Sequence, residues 1–408
     1  MNKEINRFIK IFPWYSGLTS DLLFYIAIDT LFLTVVKNFS AAQIVSLTSF
    51  AQFACIVLQF PVLFIIRRIG NTASTRVGAI FLLISAILIT VGNNYYFVLL
   101  GRLFHDVSVI FKTASFVALE NNLDLIDKRS DFVRLRASAN TVYAVLTMFI
   151  SFVASYMFNL NNYLPMIGCI IACAIGVILT FLMKDCSDYN KITYKKENKE
   201  KVKIHYSKFI ILAIVVYSLF YPIVNNGQAD GKLFIQQQIL LDFNIDNTSL
   251  IIGAIVCVSR IIRVFSNIFF AKLYNKYQGK LGLALPIMLS CSIAFMLFGS
   301  LIPQVVIKII VMGIGYTIIL FARDPFKLYM QDVIFENTPK EQHQTLLTML
   351  EFGVKLTTAG IGLGFSAILI SYPMIVIMAL MLVISTIDIV LSIKLYNMVL
   401  IGRSSSKI

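Results

Sequence analysis

Apolar residues in this chain come in runs about as long as a helix needs to cross a bilayer core, roughly 20 residues at about 1.5 Å each. The runs predict spans at 14–36, 44–66, 77–93, 96–119, 137–158 and 164–183, then at 209–239, 249–271, 281–301, 305–326, 345–370 and 374–396. Short turns divide most of them: Asn93-Asn94, the segment 159–165, Ile302-Pro303-Gln304 and Ser371-Tyr372-Pro373. Between the sixth and seventh runs lies a polar, basic stretch, 184–207, which reads as a solvated linker. It divides the chain into comparable halves, 1–183 and 208–408. The expected fold is an all-α polytopic membrane protein, with twelve transmembrane helices in two pseudo-symmetric six-helix bundles.

Composition agrees with a membrane location. The 408 residues are 58% hydrophobic and 14% charged, against about a quarter charged in soluble domains. The formal charge of +14 suggests nucleic acid until its placement is read. Lys3, Arg7, Lys10, Arg67, Arg68, Arg76, Lys128, Arg129, Arg134 and Arg136 fall on one side of the expected spans, with the linker lysines, Lys272, Lys276, Lys280, Lys327, Lys340, Lys394, Arg403 and Lys407. The opposite loops hold Lys37 and little else. That asymmetry marks membrane orientation, with both termini and the linker cytoplasmic and an even number of spans in the plasma membrane. No nucleic-acid partner is expected.

Five of the six cysteines, Cys55, Cys169, Cys173, Cys257 and Cys291, lie in apolar runs, and Cys186 lies in the linker. Cys169 and Cys173 share a helix face without a His or carboxylate, so they read as packing residues and no metal is expected. Residues 1–13 lack an apolar core and a cleavage site, so the first span is expected to stay in the mature protein.

The halves echo one another. Asn38-Phe39-Ser40-Ala41-Ala42-Gln43-Ile44 follows the first span, and Asn244-Ile245-Asp246-Asn247-Thr248-Ser249-Leu250 follows the seventh. Ile28-Asp29-Thr30 is answered by Ala229-Asp230-Gly231, and Arg67-Arg68-Ile69-Gly70 by the segment 275–280. The shared order indicates a six-plus-six duplication.

These features resemble the major facilitator superfamily. Its signature between helices 2 and 3, with an acid, a base, a glycine and further bases, usually recurs between helices 8 and 9. The segment 271–280 is a degraded copy, with Asn275 at the acid position and one extra residue. Residues 63–71 keep Arg68 and Gly70 but put Arg67 at the acid position. The helix-4 glycine-arginine pattern appears as Gly101-Arg102-Leu103-Phe104-His105-Asp106, with Asp106 where a glycine is usual. The Gly-Pro signature of drug–proton antiporters is missing from 137–158. The resemblance implies a secondary transporter with helices 3, 6, 9 and 12 on the outside.

Charge within hydrocarbon is costly, so ionisable residues inside spans face a cavity or a partner. Asp21, Tyr25 and Asp29 recur at intervals of four and share one face of helix 1. They read as a proton or cation site, or as interhelical contacts. Arg102 and Asp106 form an i,i+4 pair that either switches on protonation or stays a structural ion pair. His105 reads as a packed polar residue, and Lys112 as reaching to the interface. Arg260 and Arg263 repel unless an anion lies between them, whether Asp21, Asp29, Asp230 or a substrate carboxylate or phosphate.

Helix 7 offers Tyr217, Tyr221, Asn225 and Asp230, interrupted by Pro222, as interrupted helices do at transporter sites and gates. On helix 11, Glu351 pairs with Lys355, Lys355 stands within reach of a cavity, and Gly360, Gly362 and Gly364 permit close helix approach. Arg323-Asp324-Pro325 ends helix 10, as a gate contact or as a turn.

The substrate-binding set is therefore Tyr25, Arg102, Tyr217, Tyr221, Asn225, Arg260, Arg263 and Lys355. Proton coupling falls to Asp21, Asp29 and Asp106, and gating to Asp230, Arg323 and Asp324. No nucleotide-binding loop or nucleophile–base pattern occurs in the sequence, so no cofactor, enzymatic activity or ATP-driven step is expected. The function expected is secondary active transport in a bacterial plasma membrane. A monomer would take up a small polar or anionic solute by alternating access, coupled to a proton or another ion. A drug or amphiphile exporter or lipid flippase of the same fold is the alternative. A polytopic lipid-modifying enzyme built on Glu120, Asp124, Asp127 and Asp131 is the reading from a different class.

Overall fold

A computed structural model describes residues 2–187, 208–338 and 343–405, apart from the side chains at 133, 267–279, 343–345 and 399–405. Every regular element among the described residues is helical. In order they are α1 (Asn2–Leu18), α2 (Tyr25–Leu31), α3 (Ala41–Ile69), α4 (Asn71–Val91), α5 (Tyr95–Asp124), α6 (Phe132–Leu160), α7 (Leu164–Phe181), α8 (Lys208–Leu240), α9 (Ile245–Gly299), α10 (Val305–Asn337), α11 (His343–Ile368) and α12 (Met374–Ser405). Ten helical segments among these residues are long and apolar enough to cross a membrane, two of them within α9. The chain is a multi-pass membrane protein. Large apolar side chains such as Phe60, Phe64, Phe149 and Ile178 stand exposed on it, as lipid contact requires.

Two of the twelve expected spans fall outside those ten, for physical reasons. The first, 14–36, is not one helix: α1 stops at Leu18, residues 19–24 unwind, and α2 resumes before a π-helical turn, Phe32–Val36. Asp21, Tyr25 and Asp29 therefore do not share a single continuous helix; Asp21 sits in the break. The other is α5, which at 30 residues is long enough. Arg102, Asp106 and Lys112 place three charges in its middle.

Two expected boundaries also move. The spans at 249–271 and 281–301 lie within the single element α9, which runs on through Gly279. Arg323-Asp324-Pro325 does not end a helix, since α10 continues to Asn337.

The repeated stretches after the first and seventh spans share a local role: each caps a helix. Ser40 Oγ accepts the Gln43 N–H at 3.3 Å, and Gln43 Oε1 accepts the Ser40 N–H at 2.9 Å, a reciprocal capping box at the start of α3. Asn244 Oδ1 accepts the Asn247 N–H at 3.0 Å and caps α9. Gly70, kept from the degraded signature, has φ +82°, a conformation that favours glycine.

The chain divides into two compact units, Met1–Phe39 with Phe50–Asn198, and Ser40–Ser49 with Lys199–Ile408. In unit 1, Phe8, Phe12 and Tyr15 of α1 pack with Ala118, Leu119 and Leu123 of α5 and with Ala139 of α6. The start of the expected linker is part of this unit. Asp185 accepts the side-chain amides of Asn71 at 2.8 Å and Asn121 at 3.0 Å, while its N–H donates to Thr72 Oγ1 at 2.9 Å. The rest of the linker, 188–207, lies outside the described residues. In unit 2, the rings of Phe220 on α8 and Phe326 on α10 stack at 3.7 Å, flanked by Tyr217 and Tyr221. Of the expected close-approach glycines on α11, Gly362 lies against the Ser49 side chain; Gly360 and Gly364 have open space.

Candidate functional site

Unit 1 gathers its charges where α1 breaks. With α1 ended at Leu18, carbonyls of its last turn lose their helical partners. Lys112 of α5 supplies one: its Nζ donates to Ser16 O and to Ser20 Oγ, each at 2.8 Å. An ammonium at a helix C-terminus also meets the negative end of the helix dipole. Lys112 is 8% exposed, so it turns inward and does not reach to the interface as the sequence reading has it. Within the break, Asp21 Oδ1 accepts the Leu22 N–H at 2.8 Å, and beyond it Asp29 Oδ1 on α2 accepts the Thr30 N–H at 2.6 Å. Tyr25 is buried and packs edge-on to Phe32.

His105 is the centre of this group. Its Nε2 lies 3.1 Å from Asp21 Oδ1 and its Nδ1 2.9 Å from Asp106 Oδ1. The imidazole is 9% exposed, against 33% for the Asp21 side chain and 17% for Asp106, so the trio runs from the interior toward an accessible edge. Arg102 stands within electrostatic reach of Asp106, Tyr25, Asp21 and Asp29. Two expectations change. Asp106 takes its neighbour His105 as its hydrogen-bond partner, and His105 is a bridge between carboxylates, not a packing residue.

The bridge has a protonation consequence. A neutral imidazole has one N–H and one lone pair, and an ionised carboxylate only accepts. Carboxylate oxygens facing both ring nitrogens therefore require a second N–H on the ring, or a proton on one carboxyl. The trio holds one proton more than a neutral histidine between two carboxylates would.

Unit 2 gathers cations. Arg263 on α9 meets Asp324 on α10 with two bonds, Nε to Oδ2 at 2.8 Å and Nη2 to Oδ1 at 3.0 Å, a forked pairing. Arg323 Nη1 donates to Gln228 Oε1 at 2.7 Å, and Tyr221 Oη donates to the Arg323 carbonyl at 2.6 Å. Tyr217 lies 4.6 Å from Tyr221, ring to ring. Arg260 acts electrostatically on Arg323, and its Nε is buried with no hydrogen-bond partner among the described residues. Arg323 thus stands within electrostatic reach of Arg263, Asp324 and Arg260.

Asn225 on α8 and Lys355 on α11 are half-buried. Glu351 binds Lys327 of α10 at 2.6 Å. Asp230 is 5% exposed, and its Oδ2 has no partner among the described residues.

Carboxylates at the end of α5 and in the loop after it are taken up by arginines. Arg129 binds Glu120 at 2.6 Å and Asp124 at 3.8 Å, and Arg134 binds Asp131 at 3.3 Å. No group of three or more His, Cys, Asp or Glu suited to a metal occurs among the described residues.

The fold is that of major facilitator-type transporters. The nucleoside transporter NupG matches with a TM-score of 0.71 at 13% identity, over 98% of this chain and 99% of that one. A bacterial homologue of the iron transporter ferroportin, in its inward-facing state, gives 0.69 at 10% identity over 97% and 99%. The xylose transporter XylE from E. coli, in an inward-open conformation, gives 0.65 at 11% identity over 96% of each chain. No family model and no curated protein matches the sequence.

Proposed function

We propose that the chain is a secondary transporter that takes up a small anionic or polar solute by alternating access, coupled to a proton held by Asp21, His105 and Asp106. The observation that carries this reading is the imidazole between two carboxylates, an arrangement that must bind an extra proton and can release it when one carboxylate moves away. Arg102 is the counter-charge that would take over a freed carboxylate. Asp29 and Tyr25 extend the same polar surface along α2.

On this reading Arg260, Arg263 and Arg323 receive the solute's negative charge, with Tyr217, Tyr221 and Asn225 beside it and Lys355 and Asp230 at its margins. Arg260 has the least protein compensation and would contact the anion directly. Asp324 competes with solute for Arg263, so the pair opens as the solute binds. The broken first span and α5 complete twelve crossings, with both termini cytoplasmic in the plasma membrane. The monomer is the transporting unit.

Uptake into proteoliposomes tests this directly, with a panel of carboxylated, phosphorylated and neutral solutes and with or without an imposed pH gradient. Gradient-driven accumulation confined to anionic solutes is the expected result. Accumulation indifferent to the gradient would exclude proton coupling.

A further inference from the structure

The two faces of α1 differ sharply. Ile5, Phe8, Phe12 and Tyr15 are buried, the last three in the hydrophobic core of unit 1. Lys3, Arg7, Lys10 and Trp14 are all exposed. At about 100° per residue, these four side chains fall within about 60° of one another around the helix. They form a strip that faces away from the core. Three of its residues are basic, and it ends in Trp14, the chain's single tryptophan, which is 56% exposed.

The strip's charges have no protein compensation. Glu4, the one acid of α1, is turned aside to Lys184 at 3.9 Å and to Cys186 Sγ at 3.7 Å. Other basic side chains of unit 1 are engaged: Arg129 and Arg134 bind carboxylates, and Arg136 lies over the Phe116 ring at 4.5 Å. Lys3, Arg7 and Lys10 bind no carboxylate among the described residues. Arg7 and Lys10 are three residues apart and so stand side by side. Two cations so placed draw an anion between them.

Trp14 indicates where that anion lies. The chain crosses the bilayer repeatedly, and its first expected span begins at residue 14. An exposed indole at the start of a span sits at headgroup level, where its apolar body and polar N–H are both accommodated. At ~1.5 Å per residue, Lys10 stands about 6 Å and Arg7 about 10 Å beyond Trp14 along α1. The headgroup layer is about 5–8 Å deep, and tilting the helix only brings both residues nearer to it. Their long side chains cover the remaining distance. Lys3, farther out, still lies within reach of the negative surface potential of an anionic leaflet.

We propose that Arg7, Lys10 and Trp14 form a docking site for an anionic phospholipid, with its phosphate between the two cations and its acyl chains beside the indole. Lys3 adds attraction at longer range. The site lies within unit 1 and does not depend on the transport reading.

Because the chain has one tryptophan, tryptophan fluorescence reports this site alone. The test places the full chain in vesicles of phosphatidylcholine and phosphatidylglycerol. Two sets share the same headgroup composition and the same amount of brominated acyl chain, carried by phosphatidylglycerol in one and by phosphatidylcholine in the other. Bromine on phosphatidylglycerol should quench Trp14 severalfold more strongly. Arg7→Gln combined with Lys10→Gln should make the two sets equal. Arg129→Gln, which removes a cation already paired with carboxylates, should leave the difference intact. Should the double variant not reconstitute, Lys10→Gln decides alone by diminishing the difference. Equal quenching in the unsubstituted chain overturns the proposal. So does a difference that survives loss of the α1 cations, or one that Arg129→Gln abolishes as well.

Discussion

Ser266 Oγ donates to the carbonyl of Phe321 at 2.6 Å, and that carbonyl is the one Pro325 leaves without its helical N–H partner. This bond explains why α10 runs through a proline that looks like a stop. The same device recurs on α8, where Pro222 orphans the Ser218 carbonyl and Thr357 Oγ1 supplies the missing donor at 2.7 Å. Ser266→Ala leaves a buried carbonyl unsatisfied and should cost about 1–3 kcal/mol. Adding Pro325→Ala restores an N–H one turn away and should recover most of that loss in equilibrium unfolding. If the double variant is no more stable than Ser266→Ala, the proline's carbonyl is not what the hydroxyl serves.

Lys112 holds the end of α1 across the break. Lys112→Met removes both donors and should raise hydrogen exchange through 17–24 while leaving α12 protected. The Ser16 carbonyl keeps the Ser20 hydroxyl as a donor at 2.6 Å, so the stability loss should be about 1.5–3 kcal/mol, the net worth of a charged hydrogen bond and not the cost of an orphaned acceptor. Unchanged exchange through 17–24 would show that the break is held by other contacts.

The Arg263–Asp324 pair should respond asymmetrically. Asp324→Asn removes the carboxylate beside Arg263 and Arg323, whereas Arg263→Gln removes one of the cations beside Asp324. Both side chains are about a quarter exposed (26% and 27%), so solvent screens the pair and the coupling in a double-mutant cycle should be about 1 kcal/mol. Asp324→Asn should be the more destabilising and should bind anionic solutes more tightly. Equal losses and unchanged anion binding would remove the cation cluster from the substrate reading.

Outside the spans, burial first and then the Glu4 carboxylate beside it, 3.7 Å away, push the Cys186 thiol up from its ordinary value. Less thiolate at neutral pH means slow alkylation. In a chain whose other cysteines are replaced, Glu4→Gln should lower that value and speed alkylation of Cys186. A slower or unchanged rate would place Glu4 away from the thiol.

The apolar runs made most helices legible, because a lipid-spanning segment must be long and apolar whatever its neighbours do. Breaks and bridges were not legible, because they depend on residues far away in sequence. Thr19-Ser20-Asp21 contains no proline or glycine, and α1 ends there with Lys112 of another helix on the Ser16 carbonyl. Pro325 looked like a terminus because Ser266 lies 55 residues before the carbonyl it serves. His105 looked like packing because one of its two carboxylates, Asp21, is 84 residues away. The charged candidates of unit 2 were visible as costly residues in apolar runs, but the Arg263–Asp324 pairing needed the fold.

His105→Gln tests proton coupling most directly, because glutamine keeps hydrogen-bonding capacity and cannot carry the proton. In proteoliposomes it should abolish accumulation driven by an inward pH gradient while solute counterflow persists at equal pH on both sides. Gradient-driven accumulation at the unsubstituted level would contradict a proton held between Asp21 and Asp106.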